Sequence, residues 1–253
     1  MSEAIVQKLY NQLFLFEGKN KKAPYPIHKK LKSDTFGFND IYEWITKAYS
    51  INSNAAILDA GCGVGYGSQY LANFYSCKVK GISISDEEVK TAKAFAKNAS
   101  ISNLVSFQQK SYDNLEPNSF DFILAIESVK HTLNIQKTLK SLKKALKPHG
   151  KLVIIDDLLI NNNYPSLIDK YAKDWALKVI LKKDDFFPDF TIKKDLTPYL
   201  NTKNYFKLNI NILILTILKP ILTIAPIMRG GLYLEQLFKK NMMKYCVIEY
   251  RKK

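Results

Sequence analysis

The sequence is poor in cysteine and has no cysteine pattern typical of a cross-linked or metal-binding protein. Its three cysteines, Cys62, Cys77 and Cys246, form neither a CxxC pair nor a Cys/His cluster. A disulfide framework and a zinc or other metal site are therefore not expected, and a reducing compartment is the default. The first residues also lack the long apolar core of a secretory signal. We expect a cytoplasmic protein.

Arginine is nearly absent although the chain is strongly basic. The formal net charge is +15, but Arg229 and Arg251 are the only arginines in the 253 residues. A basic chain can bind nucleic acid or an anionic membrane surface. Forked contacts to phosphates and bases are made mainly by arginine, however, so a charge carried by lysine argues against nucleic acid as the partner.

The chain has no unbroken apolar run long enough to span a membrane. The longest apolar stretch covers positions 208–228, and a membrane span needs about 20 mainly apolar residues. Five residues interrupt it: Asn209, Asn211, Lys219, Pro220 and Pro226. We expect a buried helix here. The two alternatives are a lid over a lipophilic ligand and a segment that makes peripheral contact with a membrane surface.

Short strand-like segments alternate regularly with helical segments in the first 157 residues. Apolar runs predict strands at 56–59, 79–82, 105–107, 120–126 and 152–155. The predicted helices are one capped by Asn39, one over 65–74, one opened by a capping box of Ser85 and Glu88, and one that Asn134 caps and 148–150 stops. This alternation predicts an α/β fold with a parallel sheet covered on both faces.

The remainder of the chain is less regular. Positions 158–187 are expected to be mainly helical, 190–196 a sixth strand and 245–250 a last strand. We expect one domain over 1–253. It divides into an N-terminal lead or cap (1–38), a ligand-binding core (39–157), a lid and substrate region (158–244) and the last strand (245–253).

A glycine-rich turn follows the first predicted strand, in the sequence ILDAGCGVGYG from Ile57 to Gly67. Glycines here let backbone N–H groups approach a ligand closely. The dinucleotide pattern GxGxxG would place its third glycine at Tyr66. The chain instead has an acid, Asp59, two residues before the first glycine. A carboxylate repels a pyrophosphate and suits an ammonium or sulfonium ligand.

This stretch resembles motif I of the class I S-adenosylmethionine-dependent methyltransferases, and the resemblance extends over about 41–155. GISIS at 81–85 and AIESVKH at 125–131 resemble, more narrowly, the small-molecule O-methyltransferases related to the rebeccamycin sugar methyltransferase. Sterol, tocopherol and cyclopropane-fatty-acid enzymes are looser relatives. The resemblance implies a Rossmann-like, doubly wound, mainly parallel seven-stranded sheet with an antiparallel last strand and a helical lid.

The resemblance also implies which residues bind S-adenosyl-L-methionine and its product S-adenosyl-L-homocysteine. The glycine turn would hold the methionine portion, the ends of the second and third strands would hold the ribose and adenine, and the end of the fourth strand would line the methionine end. In that order, these residues are Asp59, Gly61, Cys62, Gly63 and Gly65; Ser83 and Ile84; Ser111 and Tyr112; Ile126 and Glu127. Ser83 and Ser111 stand where most relatives have acids, and Asp113 is a substitute candidate for the second.

Two residues are the catalytic candidates by the same resemblance. His131 follows the fourth strand and titrates near neutrality, which suits a general base. Asp156 ends the fifth strand, where a carboxylate can orient the imidazole or bind a substrate hydroxyl. Relatives often carry paired histidines, and here Lys130 replaces the first.

The resulting prediction is an enzyme that methylates oxygen or nitrogen of a small, hydrophobic acceptor, as in natural product biosynthesis. Three alternatives stay open. They are an RNA or DNA methyltransferase, a membrane-associated lipid or phosphobase methyltransferase, and a non-catalytic membrane-associated binding protein. Amino-methylating enzymes of nucleic acid often carry prolines and an aromatic residue after the fourth strand, and Ile126-Glu127-Ser128 has neither.

Overall fold

The computed structural model describes residues 3–17, 21–218 and 224–253. Strands and helices alternate through the core and are joined by short loops. The strands are β1 Ala56–Ala60, β2 Lys78–Ser83, β3 Val105–Gln109, β4 Phe120–Ile126, β5 Leu146–Leu159, β6 Thr191–Asp195 and β7 Met243–Arg251. The helices are α1 Glu3–Glu17, α2 Ser33–Phe36, α3 Ile41–Ala48, α4 Tyr66–Tyr75, α5 Asp86–Asn98, α6 Ile135–Ala145, α7 Pro165–Asp174, α8 Tyr205–Leu218 and α9 Ala225–Lys239.

The strands form one seven-stranded sheet in the order β3-β2-β1-β4-β5-β7-β6. The first five strands in this order are parallel, and β7 lies antiparallel between β5 and β6. The predicted Rossmann-like sheet with an antiparallel last strand is therefore confirmed. Strand order reverses between β1 and β4, and ligands of such sheets bind where the carboxyl ends diverge.

Both faces of the sheet are covered because the central strands are apolar on both sides. Ile57 and Leu58 are fully buried neighbours in β1, but they belong to the cores on opposite faces. One core includes side chains of α3, α4, α5, α7 and α9, and the other includes those of α6. This sandwich fixes the carboxyl ends of β1, β2 and β4 rigidly beside one another.

The ends of three helices differ from the sequence prediction. Asp40, not Asn39, caps α3, because its carboxylate accepts a hydrogen bond from the Glu43 amide. Helix α6 ends at Ala145 and β5 begins at once, so the prediction that 148–150 stops the helix was wrong. Ser85 does cap α5, but Glu88 does not complete a capping box and points to Ser83 instead.

The regions outside the alternating core differ more from the sequence prediction. Within 158–187 only α7 is an α-helix, since β5 continues to Leu159 and much of the rest is loop. The two helices of the N-terminal lead, α1 and α2, were not predicted. The apolar stretch 208–228 contains most of α8 and the start of α9; Lys219 and Pro220 lie outside the described residues.

The expectation of a buried helix over this stretch was wrong for α8. Only Leu208 and Leu215 of that helix are buried, and its opposite side is open to solvent. Among the described residues, no helix combines the length and the apolar character needed to cross a membrane.

Candidate active site

A cavity of about 280 Å³ lies at the carboxyl ends of β1, β2 and β4. The structure brings most of the predicted site residues together there. Those that line the cavity are Gly61, Cys62, Gly63, Ser83, Ile84, Tyr112, Ile126, Glu127 and His131. Asp59, Gly65, Ser111 and Asp156 lie close to it in the fold but do not line its wall.

The glycine turn borders the cavity with backbone rather than side chains. Gly61 and Gly63 have φ angles of 95° and 51°, in the left-handed region that favours glycine. A Cβ on Gly61 would lie 2.4 Å from Cβ of Ser128. Ser128 itself donates a hydrogen bond of 2.7 Å to the Ala60 carbonyl. The turn is therefore held tightly against the end of β4.

Asp59 lies beneath this turn rather than in the cavity wall. It is 3% exposed, and its carboxylate accepts a hydrogen bond of 2.7 Å from the Ser68 hydroxyl on α4. Burial raises the pKa of Asp59 to about 6, against a lowering effect of the Ser68 hydrogen bonds. The geometry gives Asp59 a clear part in joining β1 to α4. Direct contact with a ligand stays a prediction.

Gly65 and Ser111 are the other two predicted cofactor-binding residues that do not line the cavity wall. Gly65 leaves room for Phe107, whose ring a Cβ there would approach to 2.7 Å. Ser111 accepts a hydrogen bond from the Asp113 amide, and Asp113 in turn accepts one from Thr138. Asp113 is thus already engaged.

Glu88 is a wall residue that the sequence analysis assigned only to helix capping. The Ser83 hydroxyl donates a 2.6 Å hydrogen bond to the Glu88 carboxylate, and both side chains are buried. Burial raises the pKa of Glu88 to about 7, in spite of that hydrogen bond. A carboxyl group from the first turn of α5 thus lies beside Ser83 at the end of β2.

Glu127 is the centre of a buried cluster of charges at the end of β4. Its carboxylate accepts hydrogen bonds from Lys29 Nζ at 2.9 Å, the Lys29 amide at 2.7 Å and the Tyr245 hydroxyl at 3.0 Å. Burial alone would raise the pKa of Glu127, but the ammonium groups of Lys29 and Lys130 outweigh it and lower that pKa. Glu127 is therefore ionised.

Lys29 and Lys130 share a second acid in the same cluster. Asp157 lies 2.9 Å from each Nζ atom. Burial opposes the charge of Lys130, but Asp157, Glu127 and Asp156 outweigh it and raise the pKa of this lysine. The lysine that replaces the first histidine of the relatives is thus a buried, ion-paired cation.

Asp156 belongs to this cluster and not to the cavity. Its carboxylate accepts hydrogen bonds from the amides of Lys130 at 3.0 Å and Asp157 at 2.9 Å. Burial raises its pKa to about 6, opposed by the charge of Lys130. The described contacts do not join Asp156 to His131, so they give no support to the first of its two predicted roles, orienting the imidazole. The second role, binding a substrate hydroxyl, stays a prediction.

His131 instead faces the N-terminal helix. Its Nε2 lies 2.7 Å from the Tyr10 hydroxyl of α1, and its ring centroid lies 5.9 Å from that of Trp175. Burial, followed by the nearby charge of Lys130, lowers the pKa of His131 to about 3. The imidazole is therefore neutral at physiological pH. Sequence spacing gave no signal for either aromatic partner, since both lie far from position 131 along the chain.

Comparison with known proteins agrees with this fold and glycine turn. Residues 58–154 match the family model described as a methyltransferase domain. Sterol 24-C-methyltransferase of Clavispora lusitaniae is 32% identical over 103 residues, which are 40% of this chain and 28% of that protein. Norajmaline N-methyltransferase of Rauvolfia serpentina is 35% identical over 101 residues, 39% of this chain and 35% of that protein.

Solved structures match the chain over nearly its whole length. The cyclase SpnF superposes with a TM-score of 0.74 at 18% identity, covering 98% of this chain and 94% of its own. Geranyl diphosphate C-methyltransferase of Streptomyces coelicolor A3(2), in complex with Mg²⁺, geranyl diphosphate and S-adenosyl-L-homocysteine, gives 0.74 at 13% identity, covering 99% and 97%. At these identities the likeness establishes the fold.

Residues 58–154 therefore resemble a methyltransferase domain, within a fold that the chain shares with solved methyltransferase structures. The chain spans about a third of the length of these two curated relatives. The match to the family model runs from β1 into β5.

Proposed function

We propose that this protein transfers a methyl group from S-adenosyl-L-methionine to a neutral oxygen or nitrogen atom of an apolar small molecule. The observation that carries the proposal is the glycine turn at the β1/β4 reversal, which shares one cavity with Ser83, Glu88 and His131. The match of residues 58–154 to a methyltransferase domain supports it. The finer likeness to rebeccamycin-type sugar methyltransferases stays a prediction.

The wall fits this cofactor at two points. A Cβ on Gly61 would collide with Ser128, and one on Gly63 would press on Ile27, so glycine lets the turn pass close to its neighbours along the cavity wall. The Gly61 amide itself donates a hydrogen bond to the Ile82 carbonyl. Ser83 and Glu88 offer hydroxyl and carboxyl oxygens, which can bond to the two hydroxyls of a ribose. When bound, the cofactor supplies an electrophilic methyl group on a sulfonium sulfur.

Part of the cavity wall fits an apolar acceptor. It consists of aliphatic side chains of α1 and α9, among them Val6, Leu13 and Ile227. These elements belong to the regions 1–38 and 158–244, which we propose as the cap and substrate regions of one domain. At about 280 Å³, the cavity is at the small end for ligand sites.

Two buried polar atoms support a position for the nucleophile of the acceptor. Nδ1 of His131 and Nε1 of Trp175 have no hydrogen-bond partner among the described residues, although both side chains line the cavity. Buried polar groups without partners are rare. A neutral histidine and an indole N–H suit a hydroxyl or amine, whereas a phosphate or carboxylate would call for cationic partners. Lys130 is engaged by Asp157.

The role proposed for His131 is to accept the proton that the nucleophile loses. With the proton on Nε2 bonded to the Tyr10 oxygen, Nδ1 carries a lone pair toward the cavity. A pKa of about 3 makes it a weak base. A weak base suffices when the proton departs in the transition state, as the oxygen or nitrogen gains positive charge by alkylation.

Calorimetric titration with S-adenosyl-L-methionine, and in parallel with NAD, tests the proposal. We expect saturable binding of the first alone, with at least about tenfold weaker binding in Glu88→Ala. Binding of NAD alone would overturn the cofactor assignment. Turnover is then sought with apolar alcohols and amines, with RNA as a comparison; methylation of RNA with steep salt dependence would favour the nucleic-acid alternative.

A further inference from the structure

The outward side of α8 is an apolar surface that the described chain leaves uncovered. Phe206, Ile210, Leu213 and Ile217 recur at helical spacing, and their exposed fractions are 76%, 40%, 61% and 67%. We call these four residues the α8 face. The opposite stripe, which contains Leu208 and Leu215, packs on α9. A helix that is apolar on both sides is normally buried on both, so the α8 face lacks a partner among the residues that the structure describes.

Most charges around the α8 face are positive. Between Asp195 and Glu235 the sequence has no acidic residue. Lys203, whose Nζ lies 3.5 Å from the Glu235 carboxylate, and Lys207 flank the start of α8. Lys239 Nζ lies 5.3 Å from the ring centroid of Tyr205 in the first turn of that helix. The whole chain has a formal net charge of +15. This lysine-rich edge would therefore repel a second copy of itself and attract an anionic surface.

We propose that the α8 face binds the surface of an anionic lipid bilayer, lying in the interface without crossing it. Apolar side chains on one side of a helix with lysines at its edge are the features of interfacial helices. The helix is also one layer away from the cavity, because it packs on α9, whose Ile227 and Met228 line the cavity wall. Docking would therefore place the wall of the apolar acceptor site near the lipid from which such an acceptor can partition.

Co-sedimentation of the full chain with phosphatidylcholine vesicles, with and without phosphatidylglycerol, tests the proposal independently of any catalytic activity. We expect binding to the phosphatidylglycerol vesicles and little to the others. Phe206→Ser combined with Leu213→Ser and Ile217→Ser should weaken binding about tenfold or more, because it removes the apolar contact. Phe74→Ser is the matched control, since Phe74 is 51% exposed on α4.

The charge contribution is tested with Lys203→Gln combined with Lys207→Gln, which should also weaken binding. The control, Lys93→Gln combined with Lys97→Gln, removes the same charge from exposed positions on α5. Equal losses in both lysine pairs, with no effect of the serine changes, would indicate adsorption by net charge and overturn the proposal. Absence of binding to both kinds of vesicle would also overturn the proposal. So would a dimer in sedimentation velocity that the serine changes dissociate.

Discussion

The hydroxyl of Tyr10 lies 2.7 Å from Nε2 of His131, although 121 residues separate them along the chain. The contact joins α1, which covers the cavity, to the 3-10 turn over Val129–His131 that follows β4. Nδ1 of His131 has no hydrogen-bond partner among the described residues. Helix α1 therefore takes part in orienting the candidate base.

Removing this contact should weaken turnover more than cofactor binding. We expect His131→Ala to lower kcat by about 10²–10⁴-fold, the usual contribution of a proton-transfer residue, and to leave the Kd for S-adenosyl-L-methionine nearly unchanged. Tyr10→Phe should lower kcat less, because the imidazole stays in place but loses its orienting partner. Steady-state kinetics with calorimetric Kd values check this. Unchanged kcat in His131→Ala would remove it as the base.

The lowered pKa of His131 predicts a specific pH profile. An imidazole with a pKa of about 3 stays neutral from pH 5 to pH 9, so kcat/KM should show no inflection near pH 6.5 that depends on this residue. The measurement is the pH profile of the wild type beside that of His131→Asn. An inflection near pH 6.5 in the wild type that the variant loses would contradict the burial of a neutral imidazole.

Glu88 predicts a pH dependence of stability. Its pKa is raised from 4.5 to about 7 on folding, so the folded state binds the extra proton between these values. The stabilising contribution is present below pH 4.5 and is lost as pH rises through 7, a difference of about 3 kcal/mol. Glu88→Gln cannot ionise and should lack this loss.

Urea unfolding at pH 5 and pH 8 measures that difference. The free energy of unfolding of the wild type, relative to that of Glu88→Gln, should decrease as the pH rises from 5 to 8. Asp59 and Asp156 also have raised pKa values and act in the same direction, but they are present in both proteins and cancel. Equal pH dependence in the two proteins would show that Glu88 is not buried against Ser83.

Lys29 connects the N-terminal lead to the charge cluster, and its removal should destabilise the fold. Lys29→Met leaves Glu127 and Asp157 with Lys130 as their shared cation, so we expect a loss of roughly 1–3 kcal/mol, below the cost of breaking a fully buried pair because the Lys29 side chain is 16% exposed. Lys30→Met, at an exposed neighbour, should change stability by less than about 0.5 kcal/mol.

A double-mutant cycle assigns the loss to the ion pair. If Lys29 acts through Glu127, the combination of Lys29→Met with Glu127→Gln should cost less than the sum of the single changes. Additive effects would place the contribution of Lys29 elsewhere, for example in its approach to the ring of Tyr245 at 4.7 Å.

The sequence was sufficient for the part of the fold that repeats a local pattern. Strand β4 was predicted with its actual bounds, and the glycine turn was identified because its alternation of Gly61, Gly63 and Gly65 is local. The partners of the site were not accessible in this way. Tyr10 and Trp175 contact His131 only through tertiary packing. Glu88 matched a capping-box pattern with Ser85, but Ser85 caps α5 without it.

The prediction of a buried helix over 208–228 was wrong for α8 for a related reason. Apolar content predicts burial, but it does not say whether the covering partner is part of the same chain. The stretch 208–228 is as apolar as a core segment, yet α8 buries one stripe against α9 and leaves Phe206 and Ile217 in solvent. Only the packed structure separates the two sides of such a helix.

Gly61 gives the most direct test of the turn. Gly61→Ala forces a side chain into a residue at φ 95° and places its Cβ 2.4 Å from Cβ of Ser128. We expect a loss of stability of about 1–3 kcal/mol from the strained backbone, with further loss from the clash, and no measurable cofactor binding. Thermal unfolding and calorimetric titration check both.

A second substitution separates the two causes. Ser128→Ala retains the Cβ and should not rescue Gly61→Ala, whereas Ser128→Gly removes the colliding atom and should recover part of the stability. The backbone strain remains in the double variant, so recovery should be incomplete, and cofactor binding should return only if the turn regains its shape. Full tolerance of Gly61→Ala alone would mean that the turn does not approach β4 as described, and the cofactor assignment would lose its principal support.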